Sequence, residues 1–89
     1  MATYLITYDL NAPGQDYDKL YEAIKKLGAC WHCLDSNWFV ISSKTASAIR
    51  DYLKPYIDSN DSLLVLKSSG VGAWTGFDDK CSSWLNDNL

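Results

Sequence analysis

Thr3-Tyr4-Leu5-Ile6-Thr7-Tyr8-Asp9-Leu10 is the stretch whose reading decides the fold. Its residues alternate, with Tyr4, Ile6, Tyr8 and Leu10 on one face and Thr3, Leu5, Thr7 and Asp9 on the other. Period two, with β-branched and aromatic side chains, predicts a strand. The strand ends in a carboxylate and runs into Asn11-Ala12-Pro13-Gly14, which is loop chemistry. A strand of this kind followed by a loop and a helix opens one type of small α+β domain. It also places an acid where the chain leaves the sheet.

Working outward, Asp16 suits a helix N-cap and Asp18 the positive end of the helix dipole. Tyr17, Leu20, Tyr21, Ile24 and Leu27 recur at spacings of three and four, the stripe of an amphipathic helix. Lys25 and Lys26 fall in its last turn and Gly28 is its stop signal. Residues 29–35 and 38–42 read as two strands joined by a tight turn at Ser36-Asn37. Thr45 or Ser43 can cap a second helix with the stripe Ala46, Ile49, Leu53 and Tyr56, which Pro55 ends or kinks. After a turn at 58–61, Leu63-Leu64-Val65-Leu66 reads as a short buried strand.

The order strand, helix, strand, strand, helix, strand is that of the ferredoxin-like split unit. The expected fold class is therefore α+β, ferredoxin-like βαββαβ. Its antiparallel sheet has the order 4-1-3-2, with both helices on one face. Residues 1–69 make this core. Residues 70–89 form a C-terminal extension packed on or beside it. Gly70, Gly72 and Gly76 loosen the extension around Trp74 and Phe77. Asp78 or Asp79 then caps a short helix carrying Trp84, Leu85 and Leu89.

Eighty-nine residues make one domain, and 47% apolar with 21% charged residues is the composition of a folding chain. A domain of this size buries a modest fraction of its surface, so four Trp and six Tyr stand out. They enlarge the core or mark a surface that a partner covers, and dimerisation would help such a chain. The net charge is −3 and the eight basic residues are scattered. A basic stripe, the usual footprint of phosphate binding, is missing, so the charge does not support nucleic acid as a partner. The chain opens without the basic start and unbroken apolar run of a signal peptide, and no stretch approaches a membrane span. With three cysteines, an odd number, the expectation is reduced thiols in a cytoplasmic protein.

In the expected topology one sheet edge collects Asp9, Asp35, Ser36, Asn37, Asp61 and Ser62. Hard cations take oxygen ligands and often need one or two carboxylates, and a bound cation can activate water for phosphodiester cleavage. Asp9 is thus the candidate catalytic residue, and Asp9 and Asp35 are candidate ligands for Mg²⁺ or Mn²⁺. The plainer reading makes all of these turn and cap residues.

Cys30-Trp31-His32-Cys33 matches C-x-x-C, but it follows a helix and lies in a strand, where its cysteines point to opposite faces. That geometry argues against a redox pair and against zinc held by Cys30, His32, Cys33 and Cys81. The default is cysteine packed as a small apolar residue. His32, the single histidine, is a structural residue or a candidate acid–base group. Gly70-Val71-Gly72 lacks the features of a phosphate loop. Tyr17 and Tyr21 belong to the core. The tryptophans sit on an open sheet face covered by the extension, a second subunit or both.

Several motifs carry a resemblance: Tyr8-Asp9-Leu10-Asn11, Pro13-Gly14-Gln15-Asp16-Tyr17, the run Trp31 to Trp38, Leu53-Lys54-Pro55-Tyr56-Ile57 and Trp84-Leu85. Together with the strand order, they resemble the CRISPR-associated Cas-two proteins, the related VapD-like ribonucleases and, within that group, a bacterial set called SinR-like. The resemblance implies a homodimer in which sheets from two subunits meet. It implies Asp9 as the ligand of a divalent metal in a nuclease, or a scaffold without that activity. Two features depart from the pattern. Asn11 to Asp16 replaces the basic residues that follow the aspartate in typical Cas-two proteins, and a Gly/Trp loop with a helix replaces a plain final strand. The readings that follow are a non-catalytic dimeric binding or scaffold module and, as the alternative, a metal-dependent nuclease.

Overall fold

The computed structural model describes residues 1–11 and 16–89. The alternation of the first strand is realised in β1 (Ala2–Asp9), which lies inside a four-stranded antiparallel sheet. Along the chain follow α1 (Asp18–Lys25), β2 (Cys30–Leu34), β3 (Asn37–Ser42), α2 (Ala46–Leu53), a 3₁₀ turn (Lys54–Tyr56), β4 (Ser62–Lys67) and α3 (Asp79–Asn88). The sheet order is β2-β3-β1-β4, with β2 and β4 at the edges. The loop expected at Asn11-Ala12-Pro13-Gly14 lies, apart from Asn11, outside the described residues.

Two faces of the sheet are covered by different parts of the chain. Tyr4, Ile6 and Tyr8 of β1 and Trp38 and Val40 of β3 point to the first face. There they form one core with Leu20, Ala23 and Ile24 of α1 and Ile49 and Leu53 of α2. Ile6, Leu20, Ile24, Val40, Ile49 and Leu53 are fully enclosed. Removing such a side chain to alanine costs roughly 2–5 kcal/mol. The second face carries Leu5, opposite Phe39 on one side and Leu66 on the other. The C-terminal segment crosses this face, and α3 packs near β2.

Local signals explain the helix ends. Thr45 Oγ1 accepts from Ala48 N at 3.1 Å and starts α2, and Asp78 Oδ1 accepts from Cys81 N at 2.8 Å and starts α3. The N-cap position of α1 is Tyr17, not Asp16, although the Asp16 carboxylate accepts from Asp18 N at 2.9 Å. α1 closes at Lys25. Gly28 follows with positive φ, and a Cβ there would collide with the Ile41 carbonyl oxygen.

Three further expectations need correction. The hairpin turn is Asp35-Ser36, because Leu34 already pairs with Asn37 and begins β3 one residue early. An irregularity between Trp31 and Leu34 absorbs the offset and keeps Trp31 beside Phe39. β4 is only half covered: Leu63 and Val65 pack on the core, whereas Leu64 and Leu66 are 54% and 55% exposed. An edge strand has no neighbour to roof its outer residues.

The third correction concerns the cysteines. Cys33 and Cys81 are joined in a disulfide, and Cys30 alone is free. Cys33 lies in β2 and Cys81 in the first turn of α3, so the bond staples the extension to the edge of the sheet. Such bonds are rare in a reducing cytosol, and the cysteine argument for a cytoplasmic location falls away. Among the described residues no helix is long and apolar enough to cross a membrane.

The bridge joins residues 48 apart in sequence, so it removes much freedom from the unfolded chain. A loop of that length corresponds to about 4 kcal/mol of stability. Replacing both Cys33 and Cys81 by serine should lower the unfolding free energy in urea by about that amount. A loss under about 1 kcal/mol would show that other contacts hold the extension equally well.

Candidate functional site

The oxygen-rich edge forms. Asp9 pairs with Ser62 and Thr7 with Asn37, and Tyr8 N donates to Ser36 O at 3.3 Å. The β2–β3 turn and the start of β4 therefore flank the end of β1. Asp9, Asp35, Ser36, Asp61 and Ser62 share this edge.

Their roles differ. Asp61 is a structural hub. Its carboxylate accepts from Tyr17 Oη at 2.8 Å on each oxygen, from Asn11 N at 2.6 Å and from Asp58 N at 2.7 Å. It thereby ties the end of β1, the start of α1 and the turn before β4 into one knot. Asp9 is exposed, and its carboxylate has no hydrogen bond or ion pair among the described residues. Asp35 takes part through its carbonyl, which accepts from Tyr8 Oη at 3.4 Å. Among the described residues no three His, Cys, Asp or Glu side chains come together to hold a metal ion. The Asp9 and Asp35 carboxylates share this edge without a hydrogen bond among the described residues, whereas the Asp61 carboxylate is fully engaged.

Behind the edge lies a buried polar cluster that the sequence reading did not contain. Trp38 Nε1 donates to Tyr8 Oη at 3.0 Å, and Tyr21 packs its ring beside both residues. His32 stacks on Trp38 with ring centroids 3.7 Å apart, and its Nε2 lies 3.1 Å from Asp35 O. A carbonyl only accepts, so this contact places a proton on Nε2. His32 thus serves as a lid on Trp38. Burial raises the Tyr8 pKa above its ordinary 10.0, partly opposed by the hydrogen bond from Trp38.

The C-x-x-C cysteines separate as strand geometry requires. Cys30 packs against the helix-side core, and Cys33 bonds to Cys81 on the other side. The tryptophans also divide. Trp38 is enclosed on the first face. Trp31 is enclosed on the second, donating to Cys81 O at 3.0 Å and meeting Phe77 edge-on at 5.2 Å.

A recess opens on that second face. It is a cavity of about 560 Å³ between the sheet and the C-terminal segment. Leu5, Phe39 and Leu66 line its floor, and Trp74, Phe77 and Leu89 lie on the extension side. Its signal was present in the sequence as Leu5 and Phe39 at outward strand positions and as glycines flanking Trp74. Volume between loop and sheet, however, is a property of the path between them, which no periodicity encodes. No protein-family model, curated protein or solved structure matches this chain.

Tyr8→Phe keeps the ring and removes the acceptor of Trp38 Nε1, a group inside the core. The expected cost is about 1–3 kcal/mol in urea unfolding near neutral pH. The raised Tyr8 pKa fixes a second effect. Above about pH 10 the unfolded chain releases this proton while the folded chain retains it, so stability falls from there until the folded hydroxyl titrates. Tyr8→Phe should therefore show a shallower alkaline loss than wild type. Parallel slopes from about pH 9 to 11 would show that Tyr8 contributes nothing to it.

Proposed function

We propose that this chain is a non-catalytic binding or scaffold module of ferredoxin-like architecture that works as a homodimer. The sheet order, with α1 and α2 sharing one core, supports the ferredoxin-like reading and the likeness to Cas-two and SinR-like proteins. One observation carries the binding reading. Leu64 and Leu66 form an exposed apolar strip on β4, at the open edge of the sheet and at the rim of the recess under the extension. Apolar surface beside unpaired strand backbone is relieved when another chain covers it. A second copy supplies the same strip in a two-fold arrangement.

The alternative is a metal-dependent nuclease using Asp9 with Mg²⁺ or Mn²⁺. The exposed position of Asp9 at the strand end favours it. The engagement of Asp61 in the backbone knot and the scattered basic residues weigh against it. Two copies of Asp9 brought close in a dimer would repel unless a cation lay between them.

Light scattering should give twice the mass of one chain for wild type and one chain mass for a folded Leu64→Lys protein. Labelled single-stranded RNA and duplex DNA should remain intact with Mg²⁺ or Mn²⁺. A monomeric wild type overturns the dimer. Metal-dependent cleavage that disappears in a folded Asp9→Ala protein overturns the non-catalytic reading and places the chemistry at the strand end.

A further inference from the structure

We infer that the cavity on the second sheet face is a binding site for an uncharged, ring-bearing small molecule that carries a hydrogen-bonding group. The inference rests on the binding-module reading but not on the dimer. Its volume, about 560 Å³, lies in the range of small-molecule sites. Trp31, Phe39, Trp74 and Phe77 contribute aromatic surface, and Leu5 and Leu66 complete the floor. Trp31 stands edge-on to both Phe39 and Phe77, with centroids 5.3 and 5.2 Å away. Rings set at steep angles present both faces and edges to an aromatic guest.

The absence of charge narrows the ligand class. No Asp, Glu, His or Arg is among the described residues lining the cavity. Lys67, whose side chain is the one ionisable side chain among the lining residues, pairs with Tyr4, and strand alternation puts it on the helix-covered face. An ion entering the cavity would lose its hydration without a partner. The Trp31 indole N–H is already engaged with Cys81 O. Asn37, opposite Thr7 on the cavity side, offers a carboxamide with no hydrogen-bond partner among the described residues. It can bind a polar group of the guest, as can the Ser69 and Thr75 hydroxyls on the lining.

The cover is built to admit such a guest. Ser68 N donates to Thr3 O at 2.8 Å and anchors its start, and the disulfide with the Trp31–Cys81 contact anchors its end. Between these anchors, residues 71–77 make no backbone hydrogen bond to the sheet among the described residues. A segment pinned at two ends and unbraced between them opens more readily than a paired strand.

The test uses two fluorescent probes of nearly the same shape, neutral N-phenyl-1-naphthylamine and its sulfonated relative 8-anilinonaphthalene-1-sulfonate. The neutral probe should bind once per chain with blue-shifted emission, at least about tenfold more tightly than the sulfonate, a factor worth about 1.4 kcal/mol. Leu5→Trp, which fills the floor, and Trp74→Ala, which removes a wall, should each weaken it about tenfold or more. Leu64→Lys, outside the cavity, should leave it unchanged. Circular dichroism confirms that each variant is folded. No binding by wild type, equal affinity for both probes, or unaltered binding in folded Leu5→Trp and Trp74→Ala proteins would overturn the site. Loss of the neutral probe in Leu64→Lys would also overturn it, moving the probe to the exposed strip. The mass of wild type, measured separately, decides the dimer independently of any of these results.

Discussion

The central position of β1 is the constraint from which the rest of the structure follows. β1 pairs with β3 on one side and β4 on the other, so its backbone is fully engaged and its register cannot slip without breaking two ladders. A slip of one residue would turn Tyr4, Ile6 and Tyr8 out of the helix-side core and send Thr3, Leu5 and Thr7 into it. The same parity fixes both layers. Helices α1 and α2 must cover the even positions, and whatever covers the odd ones must come from elsewhere in the chain. The C-terminal segment supplies that second cover, and it begins where β4 ends. Ser68 N continues the pairing by donating to Thr3 O before the chain leaves the sheet.

The two covers are held in different ways. The first is a packed core with six fully enclosed aliphatic side chains and a buried Tyr8–Trp38 hydrogen bond. It depends on many small contacts that reinforce one another. The second has one enclosed aliphatic residue on α3, Leu85, with Trp31 beneath it. A helix of ten residues is marginal alone, so its position depends on its Asp78 cap, the indole bond to Cys81 O and the disulfide. A covalent staple takes the place of packing where there is too little apolar surface to do the same work. That is a common solution in small domains.

Much of the first layer was legible because it is periodic. Tyr4, Ile6 and Tyr8, then Leu20 and Ile24, then Ile49 and Leu53, repeat at two or at three and four, and every one of them is buried. Turn register was harder. Asn37 has turn chemistry, yet the pairing of Leu34 with Asn37 makes it the first strand residue, because the hydrophobic run Trp38 to Ile41 governs the register. The disulfide was legible in part. Alternation puts Cys33 on the side of Trp31, the side assigned to the extension that carries Cys81. The odd cysteine count drew attention away from that pairing. At the edge, Asp9, Asp35 and Asp61 were brought together as expected. Their hydrogen-bond duties come from the closing of loops on one another, which linear spacing does not report.

This difference in duties bears on function. A catalytic edge needs polar groups held in place yet left free to meet a substrate. Asp61 is held but engaged by one hydroxyl and two backbone N–H groups, and Asp9 is exposed at the strand end with no group holding its carboxylate among the described residues. The second face has the opposite character. There Trp31 stands edge-on to Phe39 and Phe77, and an apolar recess lies between the sheet and the C-terminal segment. In this chain Asp61 ties the polar edge together, and the binding proposed for the second face draws on the apolar layer under the extension.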